Sequence, residues 1–253
     1  MTVLVTRPEN QGIELCQQLA NLGIRSVHHP LIQINAGTDL PHLLPELQQC
    51  DIIIGVSQNA VTFSHQFLQD HRYFWPNDAR YLAVGQKTAH VFSKLSQQKV
   101  HYPQISDSEH LLALPQLQSI SGLKVMILRG NGGRELIHDS LIERGADVVY
   151  KEVYRRDTIT FCAAESISLW QQQQVTQLVV TSSGQLNFMM DQFSDSQRLW
   201  LLNLALFVPS ERIRQEALHM GFGCVTNVGS ASNTELAASI SQSRQDSKHD
   251  KQK

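Results

Sequence analysis

Short apolar runs of strand length alternate with stretches in which apolar residues recur every three or four positions. Val3-Leu4-Val5 predicts a strand that ends in Thr6-Arg7-Pro8. Ile13 to Leu22 follows as an amphipathic helix, with Ile13, Cys16, Leu19 and Ala20 on one face and Gly23 as its stop. Val27 to Ile34 predicts a second strand with a bend at Pro30. Leu40 to Gln49 reads as a short helix, and Ile52 to Val56 as a buried strand that runs into Ser57-Gln58-Asn59-Ala60-Val61 and a helix through Phe67. Leu82 to Gly85, a helix from Thr88 to Leu95, strand-like Val100 to Tyr102 and a connector from Pro115 to Gly122 complete this half.

The stretch from Lys124 to Tyr154 is the most informative. The apolar run Val125 to Leu128 empties into Arg129-Gly130-Asn131-Gly132-Gly133-Arg134. Leu136, Ile137, Leu141 and Ile142 then recur at helical spacing, Gly145 stops the helix, and Val148 to Tyr154 reads as a strand. A strand, glycine-rich loop, helix and strand in that order predict a parallel sheet. The loop is not a nucleotide signature. Arg134-Glu135 stands where a P-loop needs Gly-Lys-Ser/Thr, and Glu135 where a dinucleotide fingerprint needs a third glycine. Two readings remain: a turn that needs positive φ, or a loop whose N–H groups and flanking arginines hold an anion.

The element sequence then repeats. Leu178 to Ser182 is a strand followed by a helix. Leu204 to Val208 is a strand running into Pro209-Ser210-Glu211-Arg212 and a helix to about Met220. Gly221 ends that helix, Gly223 to Val228 is the last strand, and Glu235 to Ser241 adds a helical turn. Arg7 and Arg129 both close a strand and stand 122 residues apart, as do the helix stops Gly23 and Gly145; Ser57 and Ser182 are 125 apart, and Gly85 and Pro209 are 124 apart. A near-constant offset through four landmarks predicts an internal duplication. The fold class is therefore α/β, with two doubly wound parallel-sheet, flavodoxin-like domains related by that duplication and joined by a two-segment hinge.

In such sheets ligands meet the loops at the carboxyl ends of the strands. Those loops carry Thr6, Arg7, Ser57, Thr88, Gly130, Asn131, Arg134, Ser182 and Ser210. A lone serine at a strand-to-helix junction is ordinarily an N-cap worth about 1 kcal/mol. Together the loops describe neutral donors and a few cations facing a cleft between two domains. They hold no paired carboxylates, nucleophile–base dyad or metal set, so an enzyme built this way works by holding and shaping its substrate.

Composition changes this picture little. The chain has 253 residues, 42% of them hydrophobic and 17% charged, and a formal net charge of −2. That balance gives no general attraction to nucleic acid or an acidic membrane, so an anionic ligand needs local groups. The four cysteines, Cys16, Cys50, Cys162 and Cys224, are scattered, and the eleven histidines form no metal motif. No apolar run reaches the roughly 20 residues of a membrane span, and the strand-like opening leaves no room for a signal peptide. A cytoplasmic setting is expected.

Several short motifs fall in a familiar order: Val5-Thr6-Arg7-Pro8, Pro30-Leu31-Ile32, Ser57-Gln58-Asn59-Ala60-Val61, Ala83-Val84-Gly85 with Thr88-Ala89, Leu128 through Arg134, Val153-Tyr154 and Val180-Thr181-Ser182. In that order and spacing, from Val3 to about Ala238, the chain resembles the uroporphyrinogen-III synthase family. The resemblance implies closure of hydroxymethylbilane, a linear tetrapyrrole with eight carboxylates. Water leaves the terminal hydroxymethyl group to give an azafulvene, ring D attacks through its substituted carbon, and the spiro intermediate recloses with ring D inverted. It implies no metal or organic cofactor, because the pyrrole nitrogens supply the electron push. It makes Tyr154 the catalytic candidate, a donor to the leaving hydroxyl, and Thr6, Arg7, Ser57, Thr88, Gly130, Asn131, Arg134, Ser182 and Ser210 the substrate-binding candidates. The second copy of the Gly85–Thr88 loop, Val208 to Arg212, departs from the family pattern, and Ser210 stands there in place of a threonine.

The resemblance also moves the domain boundaries. The first βαβ unit pairs with the end of the chain, so residues 1–35 with 158–243 form one domain, 36–157 an inserted one, and 244–253 a disordered tail. It implies a monomer that binds neither nucleic acid nor membrane and receives hydroxymethylbilane by transient handover from hydroxymethylbilane synthase. Two alternatives fit the residues alone. One is a cytoplasmic two-domain small-molecule binding protein without catalysis. The other is a nucleotide enzyme, against which the failed loop signatures count.

Overall fold

A computed structural model describes residues 2–249, with side chains described through residue 245. The chain divides into two compact units. Of the described residues, one comprises 2–33 together with 157–249; the other is Ile34–Arg156.

The first unit is built on a five-stranded parallel sheet. Its strands are β1 (Thr2–Val5), β2 (Arg25–His28), β9 (Val175–Val179), β10 (Ala205–Val208) and β11 (Cys224–Asn227), in the order β11-β10-β9-β1-β2. Successive side chains in a strand point to opposite faces, and the core divides accordingly. Val3 and Val5 face helices α1 (Glu9–Asn21) and α11 (Asn233–His249), through Leu15, Leu19, Leu236 and Ile240. Leu4, Leu178 and Leu206 face the opposite layer, formed by α7 (Ala163–Gln172), α8 (Ser183–Asp191), α9 (Asp195–Leu202) and α10 (Glu211–His219).

The second unit has a six-stranded sheet. It contains β3 (Ile32–Ala36), β4 (Ile52–Gly55), β5 (Arg80–Ala83), β6 (Val100–His101), β7 (Lys124–Gly130) and β8 (Asp147–Thr158), in the order β3-β8-β7-β4-β5-β6. Ile53, Met126 and Leu128 face α2 (Leu43–Leu47), α3 (Gln58–Asp70) and α4 (Gln86–Ser96). Ile52, Ile54, Val125 and Ile127 face α5 (Ser108–Leu112) and α6 (Leu136–Glu143).

The two orders confirm the duplication. If β7 is matched to β1, then β8 matches β2, β4 matches β9, β5 matches β10 and β6 matches β11. Sheet order β6-β5-β4-β7-β8 then repeats β11-β10-β9-β1-β2 strand for strand. Both are the 2-1-3-4-5 order of flavodoxin-like sheets, and the second unit is a circular permutation of the first. Arg7 and Arg129, like Ser57 and Ser182, occupy equivalent places.

Several local expectations change. The run Val27 to Ile34 is two strands in different sheets: β2 ends at His28, and β3 starts after Pro30. A proline has no N–H for a ladder, so the chain can change sheets there. In α1 the buried residues are Gly12, Leu15 and Leu19, while Ile13 and Ala20 lie on the exposed side. The helix starts at Glu9, and Gly12 lets it pass close to the His28 ring. Three helices, α5, α7 and α9, fall in stretches to which the sequence assigns no particular element; their apolar stripes are only one or two turns long. Finally, α11 continues through His249 where a tail was expected from 244. Leu236, Ala237 and Ile240 anchor its first turns, and Arg244 Nη1 donates to Gly23 O at 2.7 Å. The rest of the expected tail, 250–253, lies outside the described residues.

Candidate active site

Tyr154 lies at the carboxyl edge of the second unit's sheet, beside the last residue of β7. Between β7 and β8 the register skips one residue: Arg129 pairs with Glu152, but Gly130 pairs with Tyr154. Val153 is thus the extra residue of a β-bulge, and bulges re-aim the side chains beside them. Tyr154 is 2% exposed. Its ring stacks on Phe63 of α3 at 6.2 Å between centroids, and its other neighbour is the bare Cα of Gly130. A Cβ at position 130 would stand 2.5 Å from Tyr154 Cζ.

The phenol oxygen receives two donors. Ser57 Oγ donates at 3.2 Å and Arg156 Nη2 at 2.9 Å. Ser57 also caps α3, accepting from Ala60 N at 3.2 Å. Capping and contact with Tyr154 are therefore simultaneous roles of one hydroxyl. Ser57, Tyr154, Arg156, Gly130 and Arg134 line a pocket of about 230 Å³ together with Arg129, Tyr150, Ser108, Val84 and the loop glycines Gly132 and Gly133. A larger, shallower groove of about 600 Å³ runs beside α4 past Lys87, His90 and Lys99. Neither Tyr150 nor Tyr154 lines it.

The glycine-rich loop works differently from an anion cradle. Gly130 belongs to β7 and is needed for lack of volume, whereas Gly132 and Gly133 have φ of +126° and +135°. Glu135, not an N-cap hydroxyl, stands at the entrance to α6. It accepts from Arg129 Nη1 at 3.0 Å, and that guanidinium lies 4.2 Å from the centroid of the Tyr150 ring. The hydrogen bond from Arg129 holds the Glu135 carboxyl below the usual carboxylate range. Burial first, and then the bond to Glu135, pushes the Tyr150 phenol up to about 12. Arg129 is thus partly neutralised before any ligand arrives. Asn131 pins the loop to β8: its Oδ1 accepts from Arg156 N at 2.7 Å and its Nδ2 donates to Arg156 O at 3.2 Å. Arg134 is exposed and paired with Glu109 at 3.0 Å. Thr88 lies buried in the first turn of α4 and does not line the pocket.

In the first unit, Thr6 is fully buried and donates to Val179 O at 2.7 Å, tying β1 to β9. Ser182 and Ser210 cap α8 and α10. Arg7 is 7% exposed. It donates to Ala231 O at 2.7 Å, Asn233 Oδ1 at 2.6 Å and Gln11 Oε1 at 2.8 Å, so its guanidinium is committed to holding the start of α11. Arg156 and Tyr150 escaped the sequence reading. The only signal for Arg156 was its place two residues after Tyr154 in an extended strand, on the same face.

The chain is a duplicated doubly wound α/β protein with a phenol held by two donors in a pocket of arginines and hydroxyls. The family model "Uroporphyrinogen-III synthase HemD" matches residues 13–231, and the chain belongs to that family. Uroporphyrinogen-III synthase of Escherichia coli (strain K12) is 40% identical over 245 residues, covering 95% of this chain and 100% of that one. The Salmonella typhimurium enzyme of the same name is 38% identical over the same shares. Among solved structures, a mutant uroporphyrinogen III synthase of Thermus thermophilus has a TM-score of 0.63 at 16% identity, over 96% of this chain and 99% of that one. The Helicobacter pylori 26695 uroporphyrinogen-III synthetase has a TM-score of 0.60 at 17% identity, over 94% and 98%. At those identities the structures speak for the fold.

Proposed function

We propose that this chain is a hydro-lyase that closes hydroxymethylbilane to uroporphyrinogen III, with Tyr154 as the proton donor. The observation that carries the assignment of Tyr154 is its phenol, held in a pocket by two donors to its oxygen, which leaves its own hydrogen free for a substrate. The phenol O–H bond breaks as the proton passes to the hydroxymethyl oxygen, and the C–O bond breaks as the pyrrole nitrogen supplies its electron pair. Water leaves. The substituted carbon of ring D then attacks, the spiro intermediate fragments, and ring D recloses through its other α-carbon. That carbon loses a proton, which restores the phenol. The protein need supply no electron sink. What it must supply is a shape that keeps the unsubstituted carbon away from the first attack.

Arg134, Gly130, Asn131, Ser57 and Thr88 are proposed as substrate-binding residues of the second unit, and Thr6, Arg7, Ser182 and Ser210 as substrate-binding residues of the first. Within that set, Arg134 and the Ser57 hydroxyl have side-chain atoms at the pocket, whereas Thr6, Arg7 and Asn131 act through the backbone they hold. The proposal includes a cytoplasmic monomer that receives its substrate by handover from hydroxymethylbilane synthase. The experiment is turnover of hydroxymethylbilane with separation of product isomers. Isomer III formed faster than the spontaneous isomer I is the expected result; isomer I alone would overturn the assignment.

A further inference from the structure

The side chain of Arg156 has no evident task in the fold. Its backbone is held at both ends by the Asn131 amide, so the strand keeps its course whatever side chain stands there. The residue is exposed, and yet Nη2 reaches 2.9 Å from the Tyr154 oxygen, with the guanidinium carbon 5.4 Å from the ring centroid. Ser57 Oγ approaches the same oxygen at 3.2 Å while its own acceptor site is used by Ala60 N. A phenol oxygen has one hydrogen to give and limited acceptor capacity. With two donors on it, the hydrogen is turned away from both and towards the pocket.

We propose that Arg156 is a positioning residue for the reaction. With Ser57 it directs the Tyr154 hydrogen at the departing hydroxyl, and its fixed positive charge stabilises the phenolate left when that proton is transferred. This rests on the function proposed above. Hydrogen bonds from a cation to a developing anion strengthen as the charge forms, so Arg156 acts on the transition state more than on bound substrate. The proton that leaves the phenol goes out as part of the water molecule and is replaced by the one ring D releases on closure; Arg156 keeps its own protons throughout. The competing role for a pocket arginine is to bind a substrate carboxylate, which would act on affinity instead.

The test compares Arg156→Gln and Arg156→Lys, each alone and combined with Tyr154→Phe. Arg156→Gln should lower kcat about tenfold with KM within about twofold, and Arg156→Lys should restore part of the loss. In the Tyr154→Phe background, Arg156→Gln should change kcat by less than about twofold, because the group it serves is gone. An equal loss in both backgrounds, or a rise in KM at unchanged kcat, would overturn the proposal. A readout independent of turnover separates this from failure of the proposed activity. In ligand-free protein carrying ring-labelled tyrosine, the ¹³Cζ resonance of Tyr154 should move on Arg156→Gln. An unmoved resonance would remove the contact even in an active enzyme. Wild-type protein inert towards hydroxymethylbilane, with the resonance shift intact, would instead overturn the activity alone.

Discussion

Gly130 and Tyr154 are paired across the β-bulge so closely that any side chain at position 130 would occupy the volume of the tyrosine ring. Gly130→Ala should therefore cost about 1–3 kcal/mol by overpacking. It should also lower kcat, because the ring must leave its donors to make room. Urea denaturation and steady-state kinetics on the same protein check both. An unchanged kcat in a folded Gly130→Ala protein would show that the ring position is not critical.

Tyr154→Phe keeps the packing on Phe63 and removes only the hydroxyl. General acid assistance is typically worth about 10²–10⁴-fold. The pyrrole nitrogen already drives departure of the hydroxyl, so a loss of about 10- to 100-fold in kcat is expected, with product affinity retained. The residual product should be isomer III, since shape rather than the hydroxyl sets the point of attack. Isomer I formed on the enzyme would show that the phenol also steers ring closure.

Arg7 and Arg134 should behave oppositely, although both sit at strand-end loops. Arg7→Ala strips Asn233, Ala231 and Gln11 of a charged donor, and bonds to charged groups are worth roughly 1.5–3 kcal/mol. The expected effect is a lower midpoint of unfolding, with KM raised only about twofold through the loosened loop. Arg134 is exposed and its pairing with Glu109 is worth little to stability, about 0–1 kcal/mol. Arg134→Ala should leave the midpoint in place and raise KM about tenfold, the loss of one charge-assisted bond to a carboxylate.

The Arg129–Glu135–Tyr150 group sets the pH range of the loop. Glu135 titrates below its ordinary value of 4.5 because Arg129 donates to it, with Tyr150 and His138 adding to the effect. Its contribution to stability is present above pH 4.5 and fades as the pH falls through the lower folded value. Tyr150 is the opposite case, raised from 10.0 to about 12 by burial and by Glu135. Its contribution is complete below pH 10 and fades as the pH rises towards 12. Glu135→Gln should weaken the acid limb of the stability profile and Tyr150→Phe the alkaline limb. Thermal unfolding across pH reads both.

The duplication was legible because strand ends carry distinctive residues, and the offsets between Arg7 and Arg129 or Ser57 and Ser182 survive in the matching sheet orders. Tyr154 became a candidate through family likeness, not pattern. A tyrosine late in a strand looks the same in sequence whether its hydroxyl caps a backbone group or meets an arginine. Arg156 was legible only as a residue two places after Tyr154 in an extended strand, since its contact with the phenol depends on a bulge at Val153 that no local preference announces. The glycines were misread in kind. Gly130 was grouped with Gly132 and Gly133 as loop, yet it is strand, and what it supplies is vacant space. Arg7 matched a binding pattern because a strand-end arginine looks alike whether it faces a ligand or the helix 224 residues further along the chain.

The permuted arrangement of the second unit fixes an order of events during synthesis. Strands β1 and β2 can pair as soon as they are made, but the inner edge of β1 belongs to β9, and the Thr6 bond to Val179 spans 173 residues. The whole of residues 34–156 is made in between, on the order of 10 s at ribosomal rates. For that interval a short apolar strand with an open edge waits beside a nascent, self-contained neighbour whose own strands have the same alternation and the same twist. The inserted unit must therefore close its sheet on its own strands before β1 can pair wrongly.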